Sequence, residues 1–232
     1  MIGEKNEKLG CLIIHGFAGS IEQIKSLDKY LNNKDYITSC PKLKGHTGNP
    51  NDMKNADYKE WINSAEEALL KLRKKTDKIV IVGFSMGGLI AINLANKYDI
   101  KAIITINTPI YYWNLKMVFK NILHDIRNRR LYYIKRYIQA KKAAPLISLI
   151  NFLKLLNETK AKLSNIKCPF LIIQTKDDDT TRVKSADYIY ENINSKDKIM
   201  KFYDKGGHLV LVSHYKEEIF KDVEEFIGKL NI

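Results

Sequence analysis

One stretch of this chain constrains its fold more than any other: Ile79-Val80-Ile81-Val82-Gly83-Phe84-Ser85-Met86-Gly87-Gly88-Leu89-Ile90-Ala91. An apolar run too short for a buried helix ends in a glycine, a serine follows two places later, and a helical pattern begins at once. The spacing Gly83-x-Ser85-x-Gly87 predicts a strand-to-helix turn so sharp that the serine backbone is strained and its hydroxyl is pushed out at the sheet edge. A side chain at Gly83 or Gly87 would meet neighbouring backbone, so both places call for glycine. The serine also stands at a helix N-terminus, where free N–H groups and the dipole favour a developing negative charge.

The rest of the chain supplies the sheet that such a turn needs. Apolar runs that read as strands lie at about 9–14, 36–40, 78–83, 101–106, 169–174 and 198–203. Several are continuous, as in a sheet buried on both faces. Helical patterns lie between them, at 58–75, 86–97, 184–193 and 213–230, and Ser20-Ile21-Glu22-Gln23 has the form of a capping box. Strand alternating with helix predicts an α/β fold with a mostly parallel sheet, and ligands bound outside the carboxyl ends of its strands.

The alternation stops after Thr105-Ile106-Asn107-Thr108-Pro109. The next 55 or so residues show helical periodicity, with Pro145 between two helices, before a strand resumes after Cys168-Pro169. The expected division is a core of 1–109 and 168–232, with 110–167 inserted as a helical cap. Its aromatics Tyr111, Tyr112, Trp113, Phe119, Tyr132, Tyr133, Tyr137 and Phe152 either line an acyl-binding cavity or pack the cap on the body.

Charge marks the same segment. The 232 residues carry a net charge of +13, and residues 110–167 hold thirteen lysines and arginines against Asp125 and Glu158. The rest of the chain is nearly neutral and shows no nucleic-acid-binding motif, so no nucleic-acid partner is expected. Residues 126–142 are basic and aromatic at near-helical spacing, with Leu131, Ile134 and Ile138 on one face. This pattern predicts peripheral contact with anionic lipid or attraction of an anionic substrate. The plainer expectation is that the apolar side packs on the body.

No apolar run reaches the roughly 20 residues that span a bilayer. Met1 to Lys8 is polar and lacks the apolar core of a signal peptide. Cys11, Cys40 and Cys168 are odd in number and far apart, as reduced thiols of a cytoplasmic protein would be.

A serine hydroxyl needs a base, and the base needs a carboxylate to hold its tautomer. On a sheet with this turn the order along the chain is serine, acid, histidine. Of the five histidines, His15 and His46 precede the serine, His124 lies in the cap, and His214 lies in the final helix pattern. That leaves His208, in Gly206-Gly207-His208 after the last strand. For the acid, Asp177, Asp178 and Asp179 all follow the strand at 169–174, and position alone does not separate them. The oxyanion hole needs two backbone N–H groups: Met86, after the serine, and Phe17, in the loop His15-Gly16-Phe17-Ala18-Gly19.

Taken in order, Leu12-Ile13-Ile14-His15-Gly16-Phe17-Ala18-Gly19, Lys44-Gly45-His46-Thr47-Gly48, Trp61, Gly83-Phe84-Ser85-Met86-Gly87-Gly88, Asn107-Thr108-Pro109-Ile110-Tyr111, Gln174-Thr175-Lys176-Asp177-Asp178 and Gly206-Gly207-His208 resemble a known group over nearly the whole chain. They are similar to the small bacterial carboxylesterases related to monoacylglycerol lipases, in the α/β-hydrolase superfamily. The resemblance implies serine-esterase activity on short- or medium-chain acyl esters, monoacylglycerols among them, without metal or cofactor. Counting back from Ser185-Ala186 in the family's register, it also selects Asp178 as the acid. The chain departs from the family in having Gly45-His46-Thr47-Gly48 for the usual Gly-His-Gly, and in a cap that matches only loosely. A thioesterase, a lysophospholipase or an acyltransferase could use the same triad, and a lipid-binding protein could keep the fold without turnover.

Overall fold

A computed structural model describes residues 7–112 and 114–230. Its strands are β1 (Gly10–Ile14), β2 (Ile37–Ser39), β3 (Ile79–Phe84), β4 (Ala102–Ile106), β5 (Phe170–Thr175) and β6 (Lys198–Tyr203). Each lies within one residue of its expected place. Among the described residues they form a single sheet in the order β2-β1-β3-β4-β5-β6, and every neighbouring pair is parallel.

The helices are α1 (Lys25–Asn32), α2 (Pro50–Lys54), α3 (Tyr58–Arg73), α4 (Met86–Ala95), α5 (Leu115–Arg127), α6 (Tyr132–Ala143), α7 (Leu146–Lys162), α8 (Lys184–Asn192) and α9 (Lys216–Gly228). Strand side chains alternate between two apolar layers. Leu12, Ile14, Ile79 and Ile81 join a core with α3, α4, α7 and α8. Cys11, Ile13, Val80 and Val82 join a second core with α1 and α9. The continuous apolar strands follow from this: a sheet covered on both faces has no side to give to water.

Two local expectations fail. Ser20 makes no side-chain cap bond, and Ile21–Gln23 is a 3₁₀ turn rather than the first turn of a helix. The Gln23 side chain instead accepts a bond from the Gly16 N–H at 3.2 Å. A capping box does form at α3, where Asp57 and Glu60 bond each other's backbone N–H at 2.9 Å. The final helix begins three residues later than expected, because a 3₁₀ turn at Val210–Val212 comes first.

Residues 110–167 behave in two ways. Phe152, Leu155 and Leu156 of α7 are buried in the core shared with α3 and α4. Among the described residues, helices α5 and α6 contribute no side chain to either core. Asn128 ends α5, Arg129 at φ 50° turns the chain, and Pro145 caps α7. Three helices therefore fill the segment where Pro145 alone suggested two, and the last of them packs on the body.

Candidate active site

The carboxyl ends of β3, β4 and β5 bring the candidate residues together. Ser85 follows β3 at φ 53°, ψ −121°, and caps α4 without a side-chain bond of its own. Its N–H donates to Ile106 O at 2.8 Å, and Thr108 Oγ1 donates to its carbonyl at 3.2 Å. The glycines explain how tightly this turn is wound. A Cβ on Gly83 would lie 2.3 Å from Gly88 N, and one on Gly87 would lie 2.2 Å from Ile14 O. Neither neighbour is a side chain that can move aside, so helix and strand can approach this closely only through glycine.

His208 lies in the loop after β6, with its imidazole between two partners. Ser85 Oγ–H points to Nε2 at 3.0 Å, and Nδ1–H donates to Asp178 Oδ2 at 2.8 Å. The other Asp178 oxygen accepts the N–H groups of Thr180 and Thr181 at 2.7 and 2.8 Å. Asp178 is wholly buried, yet both of its oxygens are bonded. These bonds separate the three aspartates that position left equivalent. Asp177 accepts from the N–H groups of Gly206 and Gly207 at 3.2 and 2.7 Å, so it holds the histidine loop. Asp179 faces the cap. Its Oδ2 accepts from Arg136 and, at 2.6 Å, from the Tyr137 hydroxyl of α6, and at 3.0 Å from Asn121 of α5. Burial alone would raise the Asp179 carboxyl, but the Arg136 guanidinium and the Tyr137 hydroxyl hold it below the usual carboxylate range.

Asn107, at φ 49° just after β4, is a residue whose task the sequence did not reveal. Its Nδ2 donates to the carbonyls of Gly207 and His208 at 3.0 Å, and its Oδ1 accepts Thr175 N–H at 2.9 Å. It ties the ends of β4 and β5 to the histidine loop. Ala18, Ser85 and Asn107 all have positive φ, so backbone strain collects where the loops meet the serine.

The loop after β1 reaches the serine from the other side. A Cβ on Gly16 would stand 3.1 Å from Ser85 Cβ, which puts the loop of Phe17 beside Ser85. Met86 is the first residue of α4, so its N–H has no acceptor within the helix. The Phe17 ring packs on Phe152 at 5.1 Å and on Trp61 at 5.7 Å, and Tyr112 lies 5.0 Å from Phe152. Of the other cap aromatics, Tyr132 and Tyr133 line a cleft of about 490 Å³ that reaches His208, and Tyr132 and Phe119 are largely exposed. Trp113 lies outside the described residues.

His15 anchors that loop. It is buried; its Nδ1–H donates to Gly16 O at 2.9 Å and its Nε2 accepts Leu43 N–H at 3.3 Å. Burial, with a smaller push from His46, lowers its pKa from 6.5 to about 4. The folded chain therefore refuses a proton that the unfolded chain accepts. The resulting stability is complete above about 6.5 and drains away as pH falls toward about 4. Thermal unfolding midpoints should drop over that window, and drop less in His15→Asn. Equal slopes for the two proteins would remove His15 from this role.

Among the described residues, no three His, Cys, Asp or Glu side chains gather as a metal site, and no helix is long and apolar enough to cross a membrane. The three cysteines are free thiols.

A strained serine between a buried strand and a helix, with an imidazole and a carboxylate in line behind it, defines an α/β protein built around a serine turn. The profile of the alpha/beta hydrolase fold family matches residues 12–156, more than half of the chain, and the chain belongs to that family. A second profile, described as serine aminopeptidase S33, matches residues 108–214. The chain is similar to a carboxylesterase of Bacillus subtilis (strain 168), 23% identical over 95% of this chain and 92% of the relative. It is also similar to a thermostable monoacylglycerol lipase of Bacillus sp. (strain H-257), 28% identical over 97% of this chain and 92% of the relative. A solved structure from the study of LipS and LipT, two metagenome-derived lipolytic enzymes, shares the fold with a TM-score of 0.81. It is 20% identical and covers 97% of this chain and 96% of its own.

Proposed function

We propose that this protein hydrolyses short- to medium-chain acyl esters, monoacylglycerols among them, through Ser85, His208 and Asp178. That it is a carboxylic-ester hydrolase of the esterase and lipase kind rests on its family and on both Bacillus relatives. The observation that carries the catalytic reading is the continuous relay from Ser85 Oγ to Nε2 at 3.0 Å and from Nδ1 to Asp178 at 2.8 Å.

In this reading His208 Nε2 takes the Ser85 proton as Oγ attacks the ester carbonyl. The carbonyl oxygen gathers negative charge, which the Phe17 and Met86 N–H groups meet at the N-terminus of α4. Asp178 holds Nδ1 protonated, and so keeps Nε2 free to accept. His208 then gives its proton to the departing alcohol, leaving the acyl group on Ser85. Water enters, loses a proton to Nε2, and attacks the acyl carbonyl. His208 returns the proton to Ser85 as the acid leaves. The aromatic wall of Phe17, Phe152 and Tyr112 supports an apolar acyl chain beside the oxyanion loop.

Hydrolysis of p-nitrophenyl esters from acetate to palmitate tests this directly. Turnover should peak at short to medium chains and survive EDTA. Parallel thioester, lysophospholipid and amide substrates separate other uses of the same triad. No turnover of any ester would sink the proposal, and a thioester preferred over every oxygen ester would reassign the substrate.

A further inference from the structure

The outward side of α7 is unusual for a helix that packs on a body. Ser148, Asn151, Phe152, Leu155, Leu156 and Thr159 form its buried face. Leu146, Ile147, Ile150 and Leu153 stand at i, i+1, i+4 and i+7, on the opposite face, and all are exposed, Leu146 by 74%. Just before them, Phe119 and Ile126 of α5 and Tyr132 and Ile138 of α6 are at least half exposed. With Leu131, nine of the fourteen large apolar side chains exposed among the described residues fall between 119 and 153. Packing on the body therefore does not account for the apolar side of the cap: of Leu131, Ile134 and Ile138, only Ile134 is part-covered.

Charge says what this face meets. Residues 114–157 hold ten lysines and arginines and one acid, Asp125. Asp125 is buried, and its carboxylate accepts the Ile134 N–H at 3.0 Å. Arg136 is committed to Asp179. The exposed surface of the segment thus carries positive charge without an exposed acid to balance it. A second copy of the chain would bring the same positive charge against it. A water-soluble anion would answer the lysines and arginines but leave the apolar stripe uncovered. An anionic lipid surface answers both, with apolar side chains entering the acyl boundary and basic ones at the headgroups.

We propose that α5, α6 and the exposed stripe of α7 form a docking face for anionic bilayers, which sets the cap and the neighbouring serine site against a source of acyl esters. This use of the face rests on the esterase reading; the docking itself does not. The test is sedimentation with vesicles of phosphatidylglycerol and phosphatidylcholine in equal parts, and of phosphatidylcholine alone, at low and high salt. Each basic residue near an anionic surface multiplies partitioning by about fivefold. The wild type should favour the anionic vesicles by about 100-fold or more at low salt, and lose the preference as salt shortens the range of the charges.

Two exposed variants probe the two chemistries. Arg129→Gln, Arg130→Gln, Lys135→Gln and Lys142→Gln together should abolish the preference. Leu146→Ser, Ile147→Ser, Ile150→Ser and Leu153→Ser together should weaken binding to anionic vesicles even at low salt. Both should keep wild-type turnover of dissolved p-nitrophenyl butyrate, which shows that they are folded. Equal partitioning of the wild type to both vesicles, or wild-type binding by the charge variant, overturns the proposal. So does concentration-dependent dimerisation without vesicle binding, which gives the face to a second copy. Ser85→Ala is sedimented alongside. An inactive wild type that still binds leaves docking standing and fells the esterase reading, and an active wild type that does not bind does the reverse.

Discussion

Ser85→Ala is expected to lower kcat by roughly four to six orders of magnitude and leave the unfolding midpoint nearly unchanged. The change removes one oxygen from a strained turn whose path is set by Gly83, Gly87 and the bond from Ser85 N–H to Ile106 O. None of these depends on the hydroxyl. A fluorophosphonate probe should label the wild type once and the variant not at all. Esterase turnover retained in Ser85→Ala would end the assignment of the nucleophile.

The second large effect is expected at Asp178. In Asp178→Asn the remaining oxygen is claimed by the Thr180 and Thr181 N–H groups, which need an acceptor. The amide nitrogen is then left facing His208 Nδ1. A donor there forces Nδ1 to accept, places the ring proton on Nε2, and blocks transfer from Ser85. A loss in kcat of roughly 10⁴ follows from the wrong tautomer alone. The neighbours should behave differently. Asp177→Asn surrenders one bond to the Gly206–Gly207 turn and should cost kcat about tenfold or less. Asp179→Asn should loosen the cap while sparing turnover of a small dissolved ester. If Asp177→Asn or Asp179→Asn proves the crippling change, the acid has been misassigned.

How much of this the sequence disclosed follows from how local each feature is. The four central strands β1, β3, β4 and β5 were readable because burial on both faces makes them almost continuously apolar. Ser85 and its glycines were readable because the turn demands small residues at fixed spacing. Chain order pointed to His208 as the candidate base. Position did not separate the three consecutive aspartates, and only the family resemblance pointed to Asp178, because they differ in which distant group each one meets. One touches the histidine loop, one the imidazole and one the cap. Asn107 escaped notice for the same reason, since its partners lie 68 to 101 residues away. Helix α7 looked like cap because its outward stripe is as apolar as its buried one, so periodicity could not tell which side faces the body.

The run Asp177-Asp178-Asp179 leaves this chain little freedom to change its cap. Asp179 has 2% of its side chain exposed, and its Oδ2 accepts from Asn121 of α5 and from Arg136 and Tyr137 of α6. A grafted cap lacking an equivalent of Arg136, Tyr137 and Asn121 would strand a desolvated carboxylate one residue from Asp178, a destabilisation of about 3 kcal/mol or more. Inserting or deleting a residue in the run would shift three contacts at once. Lineages or engineers that swap caps to reach new substrates must therefore exchange the acid loop with them, as a single transplantable unit.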